Sequence, residues 1–166
     1  MKIYTLERRQ ILPISLDDAW AFFSNPSNLK QITPPSMDFR VTSHPAPEMY
    51  AGMIITYTVR PMLGILVRWV TEITHVKEYE FFVDEQRFGP YSFWHHQHRF
   101  ETVEGGTLMT DIIHYKLPLG ILGSIAGRLI VNRQLDHIFG FRKTVLEKIF
   151  SNATSRRTET KHHLAV

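Results

Sequence analysis

Between Tyr91 and Glu101 the chain reads YSFWHHQHRFE, and within it His96 and His98 stand two residues apart. On a strand, where side chains alternate, both imidazoles share one face with Trp94 and Phe100, while His95, Gln97 and Arg99 take the other. Polar groups on an inward face need partners, because each one left unsatisfied costs about 1–3 kcal/mol. Three chemistries fit two imidazoles in such a place: general acid–base work, metal ligation, and recognition of the polar end of a bound molecule.

The partners follow from the turns on either side. With Gly105-Gly106 as the central pair of a two-residue hairpin, Phe100 faces Asp111, His98 faces Ile113, His96 faces Tyr115 and Trp94 faces Leu117. A three-residue loop over Gly89 to Tyr91 sets Gln86 opposite Trp94, Asp84 opposite His96 and Phe82 opposite His98. Both registers leave Glu85, Arg87, His95, Gln97, Arg99, His114 and Lys116 outside, as a solvated face requires. The inward set then joins Asp84 and Asp111 to His96 and His98, with Tyr115, Gln86, Trp94, Ile113 and Phe82 beside them, and Tyr57, Trp69, Thr71 and Ile73 on the same concavity.

Buried His–Asp pairs more often fix register or orient a ligand than catalyse, so binding is preferred to catalysis for this set. The catalytic alternative is proton abstraction next to a carbonyl by His96 or His98, with Asp84 or Asp111 orienting the ring and Tyr115 donating to the developing enolate. A metal at His-x-His plus one aspartate has the right ligand types, but the spacing alone is weak, and neither metal nor cofactor is expected.

Seven strands are needed to position these residues. Ile3 to Ile14 reads as the first. Ser15 then caps a short helix with Leu16, Ala19, Trp20 and Phe23 on one stripe, and Asn25-Pro26 ends it. Ser27 caps a second short helix through Leu29 and Ile32, and Pro34-Pro35 stops helix there. Strands follow at Phe39–Ser43, Met53–Arg60, Ile65–Val76, Phe81–Phe88, Tyr91–Val103 and Thr107–Leu117, separated by Gly and Pro turns that suit an antiparallel meander. Beyond Pro118 the apolar period becomes 3.6 through Leu122, Leu129, Leu135, Phe139, Leu146 and Ile149, which predicts a long C-terminal helix. Gly123 and Gly127 suit close packing of that helix on the sheet. Residues 1–150 form one domain, and 151–166 are a polar tail expected to fray.

Composition narrows the function classes. At 166 residues and 43% hydrophobic the chain can bury a real core. It has no cysteine, so thiolate chemistry and disulfides are excluded. Of the net charge of +3, the tail supplies +2 through Arg156, Arg157 and Lys161 against Glu159. The body is then too weakly basic to hold a nucleic-acid backbone. The nearly uncharged run Leu117–Gly127 is far short of the ~20 residues of a membrane span. Glu7, Arg8 and Arg9 stand where a signal peptide needs apolar residues, so a cytoplasmic location is expected. Met62, Leu63, Ile65 and Leu66 flank Gly64 as an apolar tip, a possible cavity lid or contact edge for a membrane or a partner. The oligomeric state is open.

The order strand, two short helices, six strands, long helix resembles the SRPBCC superfamily, whose helix-grip fold is shared by START lipid-transfer domains, the birch pollen allergen group and polyketide cyclases. The strings WVTEI (69–73), FVDEQ (82–86), Gly89-Pro90-Tyr91, WHHQHRF (94–100), Gly105-Gly106-Thr107 and LPLG (117–120) are similar to bacterial ligand-binding members of the polyketide cyclase/dehydrase-like group. The resemblance implies an α+β architecture, a curved antiparallel sheet gripping the C-terminal helix, with an elongated cavity for a small hydrophobic or amphipathic ligand.

Overall fold

The computed structural model describes residues 2–61, 64–118 and 125–163, the side chains of 125–128 and 152–163 excepted. Strand β1 (Tyr4–Leu12) leads into helix α1 (Leu16–Phe23), then 3-10 turns at Pro26–Ile32 and Pro35–Met37. Strands β2 (Arg40–Val41), β3 (Ile54–Val59), β4 (Val67–Lys77), β5 (Phe81–Phe88), β6 (Phe93–Val103) and β7 (Gly106–Lys116) follow, and helix α2 (Ile125–His163) ends the chain. The sheet has the order β1-β7-β6-β5-β4-β3-β2 with every pair antiparallel. This is the expected α+β helix-grip architecture. Two irregularities in β4, between Val70 and Thr71 and between Ile73 and His75, bend the sheet.

Ser15 caps α1, its Oγ accepting from the Asp18 amide at 3.2 Å, and Asp17 and Asp18 occupy the positive end of the helix dipole. The second short helix is a 3-10 turn capped by Asn25, two residues before the expected Ser27: the Asn25 side chain accepts from the Ser27 amide at 3.0 Å, and Pro26 occupies the first helical position. A further 3-10 turn fits after Pro34 because a proline needs no amide partner at a helix start.

The core has two apolar layers joined through a polar one. Trp20, Phe23, Phe82, Phe100, Met109, Leu146 and Phe150 form one layer. Trp69, Tyr91, Ile113, Tyr115, Leu135 and Phe139 form the other. Trp20 meets the edges of Phe82 and Phe100 at ring distances of 6.1 and 5.7 Å, a geometry in which the ring quadrupoles attract. Along β6 the order Trp94, His96, His98, Phe100 passes from one layer to the other, and along α2 the order Phe139, Arg142, Leu146 does the same.

One register differs from the sequence expectation. Phe100 pairs with Met109, His98 with Asp111, His96 with Ile113 and Trp94 with Tyr115, because Val103 and Gly106 close the ladder and Glu104-Gly105 form the turn. The slip is by two, so every side chain keeps its face. Gly106 is a strand residue at φ +139°, and a Cβ there would lie 2.0 Å from the Leu12 carbonyl oxygen, where β1 leaves the sheet. On the other side Asp84 faces His96 and Phe82 faces His98, as expected. Strand β6 starts at Phe93, not Tyr91, because Gln86 clamps the loop: its Nε2 donates to the Tyr91 carbonyl at 2.6 Å, and its Oε1 accepts from the Tyr91 amide at 3.1 Å. Met62, Leu63, Leu122, Gly123 and the side chains of Gly127 and the tail after Ser151 lie outside the described residues.

Candidate functional site

The middle layer of the core is polar. Asp84, His96, His98 and Asp111 come from three adjacent strands, and Arg142 reaches down from α2. His96, His98 and Asp111 are each less than a tenth exposed. Asp84 Oδ1 accepts from Trp94 Nε1 at 3.2 Å, and its Oδ2 takes His98 Nε2 at 2.8 Å with His96 Nδ1 at 3.3 Å. Asp111 Oδ1 takes His96 Nε2 at 2.7 Å and Arg142 Nη1 at 3.4 Å. His98 Nδ1 lies 3.0 Å from the same oxygen but off the line a hydrogen bond requires, so it has no aligned partner among the described residues. Phe82 stacks on His98 at 4.2 Å and fixes the plane of that ring.

This geometry sets the charges. Burial by itself raises a carboxyl pKa, but the imidazoles on Asp84, and the imidazoles with Arg142 on Asp111, outweigh it and hold both well below the usual carboxylate range. Burial pushes His96 down, yet a carboxylate at each ring nitrogen pushes it further up, and the net direction is up. His96 is thus an imidazolium clamped at both ends. Two carboxylates against one imidazolium and one guanidinium sum to zero.

A stability profile follows. A histidine raised on folding stabilises fully below about pH 6.5, and the effect fades as pH climbs through its folded value; lowered carboxylates stabilise above about pH 4 and fade as pH falls below it. Chemical denaturation should therefore show maximal stability between about pH 4 and 6.5, with a decline on the alkaline side that His96→Asn flattens. No alkaline decline in the parent protein would rule out a charged His96.

A pocket of about 160 Å3 opens on this layer. Its sheet wall holds Tyr57, Trp69, Thr71, Phe82, Asp84, Trp94, His96 and His98; Arg142 closes one end, and Phe22, Asn25, Leu29 and Met49 from the connecting segments form the opposite wall. Tyr57 and Thr71 join their hydroxyls at 3.1 Å, and burial raises the Tyr57 phenol out of the titrating range. The remaining expected residues lie elsewhere. Asp111 sits behind the histidines, Ile113 is fully buried under α2, Gln86 serves the β5–β6 loop, and the Tyr115 hydroxyl donates to Asn132 Oδ1 at 2.6 Å. Arg142 was absent from the sequence expectation. The signal was there: it falls between Phe139 and Leu146 on the inward stripe of α2, where an arginine demands a buried acid.

Asp84, His96 and His98 also place their ligand atoms within 4.8 Å of one another, close enough to share a metal. The donor set suits a borderline cation, but binding would require His96 to give up its proton and both rings to leave their carboxylate bonds.

No protein-family model matches the chain, and no curated protein is similar to it in sequence. Solved structures do match. Protein Ms6760 from Mycobacterium smegmatis superposes with a TM-score of 0.65 at 17% identity over 92% of this chain and 98% of its own. The di-domain ARO/CYC StfQ from the steffimycin biosynthetic pathway gives 0.71 at 11% identity, covering 92% of this chain and 52% of StfQ. At these identities the likeness is one of fold, the helix-grip fold. Protein SA2116 from Staphylococcus aureus, described as of unknown function, shares this helix-grip fold at a TM-score of 0.66 and 12% identity, over 93% of this chain and 97% of its own. Among the described residues no helix is long and apolar enough to cross a membrane.

Proposed function

We propose that the protein binds a small hydrophobic or amphipathic molecule in the pocket between the sheet and the segment from Phe22 to Ile32, beside Arg142 of α2, with its polar end against the Asp84–His98 side of the charged layer. One observation carries this reading: a buried layer of paired carboxylates and imidazoles faces an aromatic-walled pocket, as recognition groups face a ligand. A pocket of about 160 Å3 takes roughly one ring, since a cavity of ~150 Å3 suffices for benzene. A lipid-like or polyketide-like molecule would therefore bury one end and pass the rest out between Asn25, Leu29 and Met49. The likeness in fold to an ARO/CYC protein of a biosynthetic pathway supports a ligand of this kind.

Native mass spectrometry of freshly purified protein tests the reading. A bound small molecule should be present in the parent protein and reduced in His98→Ala by about tenfold in occupancy-derived affinity, the worth of a hydrogen bond to a charged pair. An equal load in both proteins would remove the polar half of the proposal.

A second reading, cyclase- or dehydratase-type catalysis, is favoured by one detail. His98 Nε2 is oriented by Asp84 while its Nδ1 has no aligned partner, which is the arrangement of an oriented base. His96, held at both nitrogens, is the weaker candidate, and the Tyr115 hydroxyl is engaged by Asn132. Turnover of a carbonyl substrate that vanishes in His98→Ala would move the assignment to an enzyme.

A further inference from the structure

Two buried N–H groups on pocket-lining residues have no acceptor among the described residues: Trp69 Nε1 and Arg142 Nε. Both are donors only, since an indole N–H and a guanidinium N–H carry no available lone pair. Trp69 is held in place by stacking on Tyr57 at 5.8 Å and by edge contacts with Tyr91 and Trp94, so its N–H cannot swing out to solvent. Arg142 is fixed by Asp111 at one terminal nitrogen and by the Phe139 ring, 5.0 Å from Cζ. Whatever meets these groups, a ligand or a water that a ligand displaces, must offer an acceptor.

We propose that Trp69 Nε1 donates to a hydrogen-bond acceptor of the ligand, with Arg142 Nε a second donor on the same pocket, and that the ligand's buried head is an uncharged, ring-sized group bearing a carbonyl or comparable oxygen. The inference rests on the pocket reading above and adds the chemistry of what the pocket takes. Charge balance selects the uncharged form. Asp84 and Asp111 are already matched by Arg142 and by His96, whose two ring nitrogens both sit on carboxylates, so a carboxylate ligand would bring an unmatched third anion into a buried layer. A hydrocarbon ligand would leave both donors unsatisfied.

Three probes of one size separate these cases: acetophenone, its isostere α-methylstyrene, which lacks the oxygen, and benzoate, which carries the charge. Calorimetry on the full chain should show acetophenone binding about tenfold more tightly than α-methylstyrene, the difference one net hydrogen bond makes. Benzoate should bind more weakly than acetophenone. Trp69→Phe should narrow the gap between acetophenone and α-methylstyrene while leaving α-methylstyrene affinity in place. The parent protein supplies an independent readout should that variant fail to fold. Of the three tryptophan indole N–H resonances, the one assigned to Trp69 should move downfield with acetophenone and not with α-methylstyrene.

Equal affinity for the two neutral probes, or a Trp69 resonance that ignores acetophenone, would place the indole N–H against the Trp94 or Tyr91 ring and overturn the inference while leaving the pocket reading intact. Tighter binding of benzoate would overturn the uncharged head. Binding of none of the three would overturn the pocket reading, and this inference with it.

Discussion

Replacing Asp111 with alanine is expected to lower the unfolding free energy by about 3–5 kcal/mol, the cost of breaking a buried ion pair by removing one partner. Asp111 is 5% exposed and meets His96 at 2.7 Å and Arg142 at 3.4 Å, so its loss leaves a guanidinium and an imidazolium in the core with only Asp84 to answer them. His96 can escape by losing its proton, but Arg142 cannot deprotonate. The penalty should therefore fall chiefly on the arginine, and Asp111→Ala combined with Arg142→Met should be less destabilised than the two single effects added together. Urea titration of the parent, both single variants and the double variant measures this. A loss below about 1 kcal/mol in Asp111→Ala would mean that Arg142 finds water, and that the layer is open rather than sealed.

The second large effect lies far from the charges. Gly106→Ala should destabilise by about 3 kcal/mol or more, because two costs coincide: a positive φ that a Cβ resists and a steric demand on a neighbouring backbone. The atom in the way is the Leu12 carbonyl oxygen, 2.0 Å from the Cβ position, and a backbone oxygen has no rotamer by which to yield. Gly105, one residue earlier at φ +89°, has open space around its Cβ position and should show the smaller loss of a strained turn alone. Thermal unfolding of the two alanine variants separates close approach from backbone strain. Equal shifts would mean that β1 moves away from Gly106 without penalty.

How far the site was readable in the sequence depends on which physical rule each residue obeys. The face of His96, His98, Asp84 and Asp111 was legible because strand alternation has a period of two and survives an even slip. For the same reason the misjudged turn at Gly105-Gly106 moved Asp111 from opposite Phe100 to opposite His98 without turning it outward. The β5–β6 pairing was legible because the loop length fixed it. Arg142 lies outside what strand alternation and turn length can place, because it stands on α2 and meets Asp111 only through tertiary packing. Gln86 and Tyr115 share the inward face as expected, yet their hydrogen bonds go to the loop at Tyr91 and to Asn132, and alternation says nothing of which neighbour a polar atom selects. The size of the pocket was beyond periodicity altogether, since filled and hollow cores carry the same apolar pattern.

The two ends of the sheet order bear on how the protein tolerates its own concentration. A β-sheet that does not close into a barrel leaves two outer strands, each able to recruit a second chain through its backbone. On one side that strand is β2, only Arg40 and Val41 long, with Arg40 tied to Asp38. On the other it is β1, nine residues long, but its middle is the charged run Glu7-Arg8-Arg9, and α2 is fastened to it: Arg8 pairs with Asp136, and Gln10 Nε2 donates to the Lys143 carbonyl at 3.2 Å. Helix α2, which brings Arg142 to the pocket, thus also covers the longer edge. Arg142 lines a small cavity with Arg8, Arg9 and Gln10, and Lys143 beside it accepts from Gln10, so any movement of α2 at Arg142 bears directly on the contacts that cover the β1 edge.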